Sequence, residues 1–435
     1  MTTTAVHPYI ESLLSGSREL PTTAHAWMNE RRGAALERAN ALSVPTTRDE
    51  EWRFTDLTAL TRVQMRAAGP QGAVDADALR LYAIPEAGAR LVFVDGVFAP
   101  ALSQAGTEQL GVRVVTLGEA LESDASLVEP YLGRLAGFEH NVFAALNTAH
   151  LREAAVVLVA RGVKCDKPMH LLHLATQAGM ASYPRCIVIA ESGSECMVIE
   201  EYAGLAEEAY FTNAVTEIAV GDGARVGHVK LQNENARAFH IATCAVRVAK
   251  DASYVSQTAT FGARLSRYDL SVALSGEGAS AQIDGLALIS ERQLADTHSL
   301  IDHAEPNARS RQLHKTIVDG AAHAVFSGKI LVRPGAQLTD SAQESRNLLL
   351  SDKATVDTKP QLEIFADDVK CAHGATVGQL DAEQLFYLMS RGLSRATARN
   401  LLTYAFGAAV LERIPVRSVV DRLERIVMAQ TGVAA

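Results

Sequence analysis

The stretch Gly276-Glu-Gly-Ala-Ser-Ala-Gln-Ile283 joins a turn to an alternating run of small and apolar residues. After the Gly276-Glu277 turn, Ala279, Ala281 and Ile283 occupy every second position. Side chains of a strand alternate between the two faces of a sheet, so these three residues would share one face. The stretch is typical of a short strand that begins directly after a turn.

This combination recurs from about residue 155 to 378, where short runs rich in Val, Ile, Ala and Thr are interrupted by Gly and Asp. Four turns are separated by 29, 29 and 26 residues: Ser192-Gly193, Gly221-Asp222, Lys250-Asp251 and Gly276-Glu277. Three later turns are 17 and 15 residues apart, about half that period: Pro334-Gly335, Ser351-Asp352 and Ala366-Asp367. A repeating unit of short strands without helices between them predicts a parallel β-solenoid, whose coils stack their inward rows.

An antiparallel sandwich is the competing interpretation of these strands. It would need frequent two-residue Asn-Gly or Asp-Gly hairpins, which are few here. Small or apolar residues instead recur at matching positions after the turns, which favours the solenoid. In this alignment Cys371 falls in the same inward row as Leu338 and Val356.

Helical patterns flank the solenoid on both sides. We predict an N-terminal helical domain over residues 1–85, with a helix from Ala24 to Val44 that ends at Pro45. The core would span 86–378, with an irregular strand and helix lead-in to about residue 155. A C-terminal helical domain would span 379–435, where apolar stripes could pack on each other, cap the solenoid end or dock a partner.

Composition restricts the functional class. The 435 residues are 48% hydrophobic and carry a net charge of -9, without a run of Lys or Arg that could follow a phosphate backbone. Nucleic acid is therefore not an expected partner. No apolar run approaches a membrane span, and the first residues lack the pattern of a secretory signal, so we expect a cytoplasmic protein.

The five cysteines are scattered and include no C-x-x-C pair, which argues against a disulfide framework or a self-contained zinc site. We expect reduced thiols, the first four of them buried as small hydrophobes. Cys165 with His170 and His173 is not expected to bind metal, because positions 170 and 173 face opposite sides of a strand. Asp296, His298 and Asp302 share a face and could line a groove, although a solvated outer ladder is the favoured interpretation.

Cys371 and His373 are the candidate site. An i, i+2 pair lies about 6.5 to 7 Å apart along one face of a strand, close enough to serve one metal or sulfide centre. Thiolate and imidazole suit iron, zinc and iron–sulfur clusters, but a cluster commonly needs four protein ligands. The other ligands would have to come from another chain. The alternative is that Cys371 is a core thiol.

Nucleotide-binding signals are absent from the sequence. Gly221-Asp-Gly-Ala-Arg-Val-Gly227 has the wrong spacing for a dinucleotide fingerprint, and there is no Gly-Lys-Ser/Thr phosphate loop. Gly-x-Ser-x-Gly is absent too, and no acid/base carboxylate pair can be singled out. We expect a non-enzymatic chain without a nucleotide site of its own.

Four segments together resemble the SufB/SufD family of iron–sulfur cluster assembly scaffolds, and within it the SufD branch. They are Pro45-Thr-Thr-Arg-Asp-Glu-Glu-Trp-Arg-Phe-Thr-Asp-Leu57, Ser310-Arg-Gln-Leu-His-Lys-Thr-Ile-Val-Asp-Gly320, Val325-Phe-Ser-Gly-Lys-Ile330 and Asp367-Asp-Val-Lys-Cys-Ala-His-Gly-Ala-Thr376. The resemblance implies a right-handed parallel β-helix that pairs with a SufB-like subunit. It also implies that Cys371 and His373 match positions used in nascent cluster formation.

Three further expectations depend on this resemblance. The cofactors would be a transient iron–sulfur cluster shared with the partner and a reduced flavin bound by the complex. An ABC-type ATPase resembling SufC would dock on the C-terminal helices, at Phe386, Tyr387, Arg391, Gly392, Leu401 and Tyr404. Around Glu344-Ser-Arg-Asn347 the SufB branch carries a cysteine that this chain lacks, so the chain is not expected to be the main scaffold by itself.

Two other functions fit a β-solenoid. One is an enzyme acting on polysaccharide, which would need catalytic residues stacked in an open groove and usually a secretory signal. The other is a purely structural solenoid, in which His373→Ala would be silent.

Overall fold

The computed structural model describes residues 7–67, 72–104 and 109–431. Over these residues the chain is mainly β, with helices before and after a parallel β-solenoid. The predicted fold class is therefore confirmed. The antiparallel sandwich is wrong, because the long strands pair in parallel.

The strands fall into an irregular lead-in and a regular solenoid. The lead-in contains β1 (Arg66–Ala67), β2 (Ala89–Val94), β3 (Val97–Phe98), β4 (Val112–Thr116) and β5 (Ala155–Val159). The solenoid then contains β6 (Met169–Ala175), β7 (Met180–Ser182), β8 (Arg185–Ala190), β9 (Glu195–Gly204), β10 (Phe211–Val220), β11 (Arg225–Asn233), β12 (Phe239–Val248), β13 (Ser253–Thr260), β14 (Leu265–Leu274), β15 (Ser280–Ile289), β16 (Leu294–His303), β17 (Arg309–Val318), β18 (His323–Val332), β19 (Thr339–Leu349), β20 (Thr355–Ile364) and β21 (Val369–Gly378).

The α-helices lie outside the solenoid strands. They are α1 (Pro8–Leu14), α2 (Ala26–Ala41), α3 (Thr58–Thr61), α4 (Leu117–Val128), α5 (Val142–Ala149), α6 (Ala382–Ser390), α7 (Arg395–Leu411) and α8 (Arg417–Thr431). Short 3₁₀ segments occur at Ser15–Glu19, Glu50–Trp52, Ala76–Tyr82 and Pro100–Leu102. No helix among the described residues is long and apolar enough to cross a membrane.

Each solenoid coil contributes one strand to each of two sheets. Sheet A follows the order β20-β18-β16-β14-β12-β10-β8-β5-β4, and sheet B follows β21-β19-β17-β15-β13-β11-β9-β6-β2-β3. Register is continuous from coil to coil: Phe211 pairs with Phe239, and Phe239 with Leu265. Identical side-chain rows therefore stack along the length of the solenoid.

The Gly276-Glu277 turn and the strand after it lie as the sequence indicates. Gly278 has a left-handed φ of 72°, which glycine adopts without strain. Ala279, Ala281 and Ile283 all lie in the hydrophobic core between the sheets. The alternation of small and apolar residues thus fills the narrow interior of a coil.

N-terminal helices cover the outer face of sheet A. Trp52 and Phe143 pack in one cluster with Phe211, Phe239 and Leu265, which point outward from the sheet. The helix predicted over Ala24 to Val44 is observed as α2. Sheet A is therefore buried on both faces over much of its length, which explains why its strands are apolar at both parities.

C-terminal helices cover the outer face of sheet B. Apolar residues of α7 and α8, such as Val410 and Val419, pack against Val229, Leu286 and Ile317. The apolar stripes therefore pack on the side of the solenoid. The suggestion that they cap its end is wrong, and no strand that the structure describes covers the last coil on the side away from β18 and β19.

Candidate functional site

The last coil of the solenoid, β20 and β21, leaves both sheets with an open edge. Among the described residues β20 pairs only with β18, and β21 pairs only with β19. Every residue from Ala372 to Gln379 is exposed, whereas the residues of β19 are mostly buried. Unpaired strand edges present backbone donors and acceptors to any strand that approaches.

Cys371 and His373 lie on β21 in the two inward rows of sheet B. Cys371 pairs in register with Ser341, and His373 pairs with Gln343. Both partners are buried, yet Cys371 is half-buried and His373 is exposed. The two side chains are accessible because, within the described part of the chain, no further coil stacks on them.

The alignment of Cys371 with Leu338 and Val356 is wrong in register. Leu338 lies in a turn with a φ of 60° and is exposed, and Val356 belongs to sheet A. The true row of Cys371 follows the register of sheet B through Cys196, Val226, Tyr254, Ala281, Ser310 and Ser341. Sequence spacing could not show this, because the turns that link the two sheets differ in length.

A buried hydrogen-bonded chain lies directly behind Cys371. The Ser341 and Ser310 hydroxyl oxygens are 2.7 Å apart, and the Ser310 hydroxyl is 2.9 Å from His303 Nε2. Burial lowers the pKa of His303 to about 4, so its ring is neutral at pH 7. The Cys371 thiol itself has a pKa raised by burial.

A second buried polar group lies behind His373. Neither amide atom of Gln343 has a hydrogen-bond partner among the described residues, and its side chain reaches toward Gly328 on sheet A. A Cβ at Gly328 would lie only 1.9 Å from Gln343 Nε2, so the glycine makes room for the amide. Unpaired buried polar atoms of this kind commonly hold ordered water.

Polar side chains fill the sheet B interior at this end of the solenoid, which the pattern of apolar residues does not predict. On β19 the buried inward residues are Thr339, Ser341, Gln343, Ser345 and Asn347. The available signal was period-two polarity, for example Ser310, Gln312 and His314 on β17. Alternation of apolar residues alone does not reveal an inward row that is polar.

Cys371 and His373 supply two ligands, which is fewer than a metal site needs. Within the three described ranges, no group of three or more His, Cys, Asp or Glu side chains could hold a metal ion. A cluster with four ligands would therefore need groups from outside this part of the chain. The donor types fit iron–sulfur chemistry, but their number does not complete a site.

Cys165, His170 and His173 do not converge. His170 Nε2 lies 3.0 Å from Glu201, and His173 Nε2 lies 3.3 Å from Cys186 Sγ. His173 also stacks between Phe93 and Tyr202. Both histidines are buried core residues whose Nε2 atoms already have partners within the solenoid.

Asp296 and His298 form a buried network, so their interpretation as a solvated ladder is wrong. Asp296 accepts hydrogen bonds from Arg267, at 2.6 Å, and from Thr55, at 2.5 Å, and lies 3.0 Å from His298. The Arg267 guanidinium lies 3.7 Å from the centre of the Trp52 indole. The Pro45–Leu57 segment therefore packs across the outer face of sheet A. Asp302 is separate and pairs with Arg333.

The six residues expected to dock an ATPase lie in two environments. Phe386, Tyr387 and Leu401 are exposed apolar side chains, 73%, 56% and 46% accessible. Arg391 lies over the Tyr387 ring, and Gly392 takes a left-handed φ of 94° where α6 ends. Tyr404 is different, because its hydroxyl donates to Glu424 on α8 and its ring packs in the sheet B cluster. Tyr404 therefore helps to hold α7 against α8 and the solenoid, and it offers less surface to a partner than the other residues do.

Comparison with known proteins gives the family. A family model described as the SufBD core domain of the SUF system for iron–sulfur cluster assembly matches residues 173–406, and one for the SufBD N-terminal region matches 4–171. An iron–sulfur cluster assembly SufBD family protein of Synechocystis is 38% identical over 415 residues, covering 93% of this chain and 91% of that protein. The iron–sulfur cluster assembly protein SufD of Escherichia coli is 36% identical over 385 residues, covering 87% of each.

The class that fold and sequence define is therefore an iron–sulfur cluster assembly protein built on a parallel β-solenoid. The chain belongs to the SufBD family, and within it the chain is SufD-like. The resemblance found in the sequence motifs is confirmed, and membership of this family removes the reason to consider a polysaccharide-active enzyme.

Proposed function

We propose that this chain is the SufD-like, non-catalytic subunit of an iron–sulfur cluster assembly complex. It pairs with a SufB-like subunit through the last coil, contributes His373 and Cys371 to a shared assembly site, and docks an ABC-type ATPase through α6 and the start of α7. The observation that carries the proposal is the open end of the solenoid. There, two ligand-type side chains in inward rows reach the surface beside two unpaired strand edges.

The open edges favour a protein partner over solvent. Solenoids need polar caps at their ends, and β20 and β21 are long strands without one among the described residues. Large apolar side chains are also exposed at this end: Ile364, Phe365 and Val377. A strand from a partner would pair with the free backbone groups and cover these side chains.

Two ligands at such an interface suit a shared cluster. The cluster is the cargo of the complex, and the partner subunit would supply the ligands that this chain lacks. Cys371 must lose its proton to bind iron. Because burial raises its pKa, the thiol binds poorly until a cation or the partner stabilises the thiolate. His373 is exposed to solvent at the open edge, so it is the stronger candidate ligand.

The ATPase surface is proposed for the exposed apolar residues alone. Phe386 and Tyr387 lie on α6 and Leu401 lies on α7, and exposed aromatic side chains are the usual anchors of protein interfaces. Since the sequence contains no phosphate-binding loop, ATP hydrolysis would belong to the docked partner. Movement of the ATPases would then reshape the shared site, a step that the family resemblance suggests.

The absence of a cysteine around Glu344–Asn347 supports an accessory role. In this chain Ser345 and Asn347 occupy the inward positions of that segment, and both are buried. Neither side chain can act as a thiolate ligand or carry sulfur. The chain would therefore complete a site that is founded on the partner.

Co-purification tests the proposal. The tagged chain would be expressed with a SufB-like subunit and a SufC-like ATPase, and iron and acid-labile sulfide would be measured on the complex. We expect a ternary complex with cluster, and the same complex with little cluster for His373→Ala. Lys370→Ala is the matched control, because Lys370 lies on the same strand but faces away from the inward rows. Normal cluster content in the His373→Ala complex would mean that His373 is not a cluster ligand and that the chain has only a structural role.

A further inference from the structure

Cys165 and Cys196 lie side by side in neighbouring coils. Lys164 and Glu195 form a parallel bridge, in which Glu195 N donates to Val163 O at 2.8 Å and Cys165 N donates to Glu195 O at 2.7 Å. The next residue along each segment is a cysteine. Neighbouring strands lie about 4.8 Å apart, so the two Cα atoms are adjacent across the bridge.

Both side chains point into the solenoid. Cys196 is buried in the core cluster, and half-buried Cys165 packs against the same cluster. Lys164, between Val163 and Cys165, is exposed instead. Burial raises the pKa of the Cys196 thiol, and the nearby Cys165 adds to this effect. The two thiols therefore share one face and one environment.

The other cysteines do not offer such a pair. Cys186 and Cys244 both pair in register with Thr216, from opposite sides, so one strand separates them. That spacing is about 9.6 Å, beyond the Cα distance of about 4.4 to 6.8 Å that a disulfide spans. Cys371 lies in the last coil, far along the solenoid. Cys165 and Cys196, in contrast, meet the distance condition across their bridge.

We propose that Cys165 and Cys196 are a redox-active thiol pair, which a peroxide converts into a disulfide that links the segment before β6 to β9. The Cys165 sulfur attacks the peroxide O–O bond, giving a sulfenic acid and one water. The Cys196 sulfur then displaces the sulfenic hydroxyl, giving the disulfide and a second water. Two thiols and one hydrogen peroxide thus yield one disulfide and two waters.

The environment sets the order and the speed of this reaction. Cys165 reacts first because it is half-buried, whereas Cys196 is shielded by the core. Burial raises the pKa of Cys165 to about 11, and Asp166 adds to the effect, so little thiolate is present at pH 7. The pair responds slowly, and below pH 11 the rate rises about tenfold per pH unit as thiolate forms.

The inferred disulfide closes the N-terminal coil of the solenoid and is independent of the proposed function. It lies at the opposite end from Cys371, with β11, β13, β15, β17 and β19 between them in sheet B. A covalent link between neighbouring coils opposes separation of the first coil. Oxidation should raise the thermal midpoint of the full chain by several degrees.

Peptide mapping under non-reducing conditions tests the pair. The purified full-length chain would be incubated with hydrogen peroxide at pH 7, 8 and 9, quenched by alkylation and digested. We expect one linked peptide joining Cys165 to Cys196, with a rate that increases with pH, and a higher thermal midpoint that dithiothreitol reverses.

Two variants separate the pair from other effects. Cys165→Ser should remove both the linked peptide and the change in midpoint, whereas Cys371→Ser, which alters the other half-buried cysteine, should keep both. Cys165→Ser should also leave complex formation and cluster content unchanged, so failure here is distinct from failure of the proposed function. The inference would be overturned if the folded wild-type chain, after treatment with peroxide, still had Cys165 open to alkylation and Cys196 unlinked. This test does not require Cys165→Ser to fold.

Discussion

Gln343 lies in register directly behind His373, yet Gln343 is 2% exposed and His373 is open to solvent. The two residues occupy the same inward row on β19 and β21. Their exposure differs because β21 stacks on β19, whereas no strand of residues 7–67, 72–104 or 109–431 stacks on β21. A residue that would be core anywhere else in the solenoid is therefore a surface ligand candidate here.

His373→Ala should leave stability almost unchanged while removing function. An exposed side chain without a hydrogen-bond partner contributes within about 0.5 kcal/mol to the free energy of unfolding. Loss of one ligand should lower the iron content of the co-purified complex about tenfold or more. Thermal melting and iron analysis of the same preparation would check the expected stability and the expected iron content, with Lys370→Ala as the control. A large fall in the melting midpoint would contradict the assignment of His373 to the surface.

Arg267→Met should destabilise the fold strongly. The guanidinium is nearly inaccessible, pairs with Asp296 and Asp269 and covers the Trp52 indole. Removing it leaves the buried Asp296 carboxylate with His298 as its remaining cationic partner, at a cost of about 3 kcal/mol. Arg311→Met is the matched control, because the exposed Arg311–Asp340 pair should contribute under about 1 kcal/mol. Urea unfolding of both variants would measure the difference, and equal midpoints would refute it.

His298 should make stability fall at alkaline pH. Burial opposes the charge on this imidazole, but hydrogen bonds to Asp296 and Glu51 outweigh it and raise the pKa to about 9. Because the pKa is higher in the folded state, the charged His298 ring stabilises that state. This stabilisation is fully present below the unfolded-state pKa of about 6.5 and is lost as the pH rises through about 9.

The measurement is the difference in unfolding free energy between wild type and His298→Gln from pH 6 to 10. It should shrink across that window by up to about 3 kcal/mol, because the charged ring is present only in the wild type. A difference that stays constant with pH would mean that His298 is not charged in the folded chain.

Replacement by alanine should affect stability differently at two turn glycines predicted from the repeat. A Cβ at Gly276 would lie 2.1 Å from Lys250 N, so the backbone of the neighbouring turn must move. We expect Gly276→Ala to cost about 1 to 3 kcal/mol. At Gly335 a Cβ meets nothing within 4 Å, so Gly335→Ala should be neutral or slightly stabilising. Thermal midpoints would rank the variants, and similar values would contradict the close approach of the turns.

Phe386→Asp should weaken binding of a SufC-like ATPase without affecting folding. Phe386 is exposed on α6, and an aromatic anchor at an interface commonly contributes more than about 1.4 kcal/mol, or tenfold in affinity. Leu110→Asp is the control, since Leu110 is exposed at 95% and lies just before β4 in the lead-in to the solenoid. Calorimetric titration of ATPase into each variant would decide. Equal weakening by both variants would indicate a general charge effect.

Sequence patterns predicted the architecture well where one rule dominates. Alternation after a turn, as in Ala279, Ala281 and Ile283, predicts an inward row because an apolar side chain gains by leaving water. The same rule failed for Leu338 and Val356, because register depends on turn lengths and on which of two sheets a strand joins. Period two describes both sheets equally, so it cannot assign a strand to either.

The candidate site was accessible to sequence reasoning only in part. Cys371 and His373 could be paired because an i, i+2 spacing fixes a shared face. Their exposure, the polar interior behind them and the Arg267–Asp296–His298 network could not be predicted. Those features depend on contacts between residues of different coils and of the Pro45–Leu57 segment. No local sequence pattern predicts such contacts.

Repeated turns and alternating rows are enough to predict a parallel β-solenoid with helical segments before and after it in the chain, because the pattern recurs along one dimension. Which residues of those rows reach the surface depends on the packing of distant segments. Helices cover the sides of the solenoid and leave its last coil open, so burial depends on position along the stack rather than on residue type. Cys371 and His373 are accessible for that reason, and Cys165 and Cys196 are adjacent because neighbouring coils stack in register.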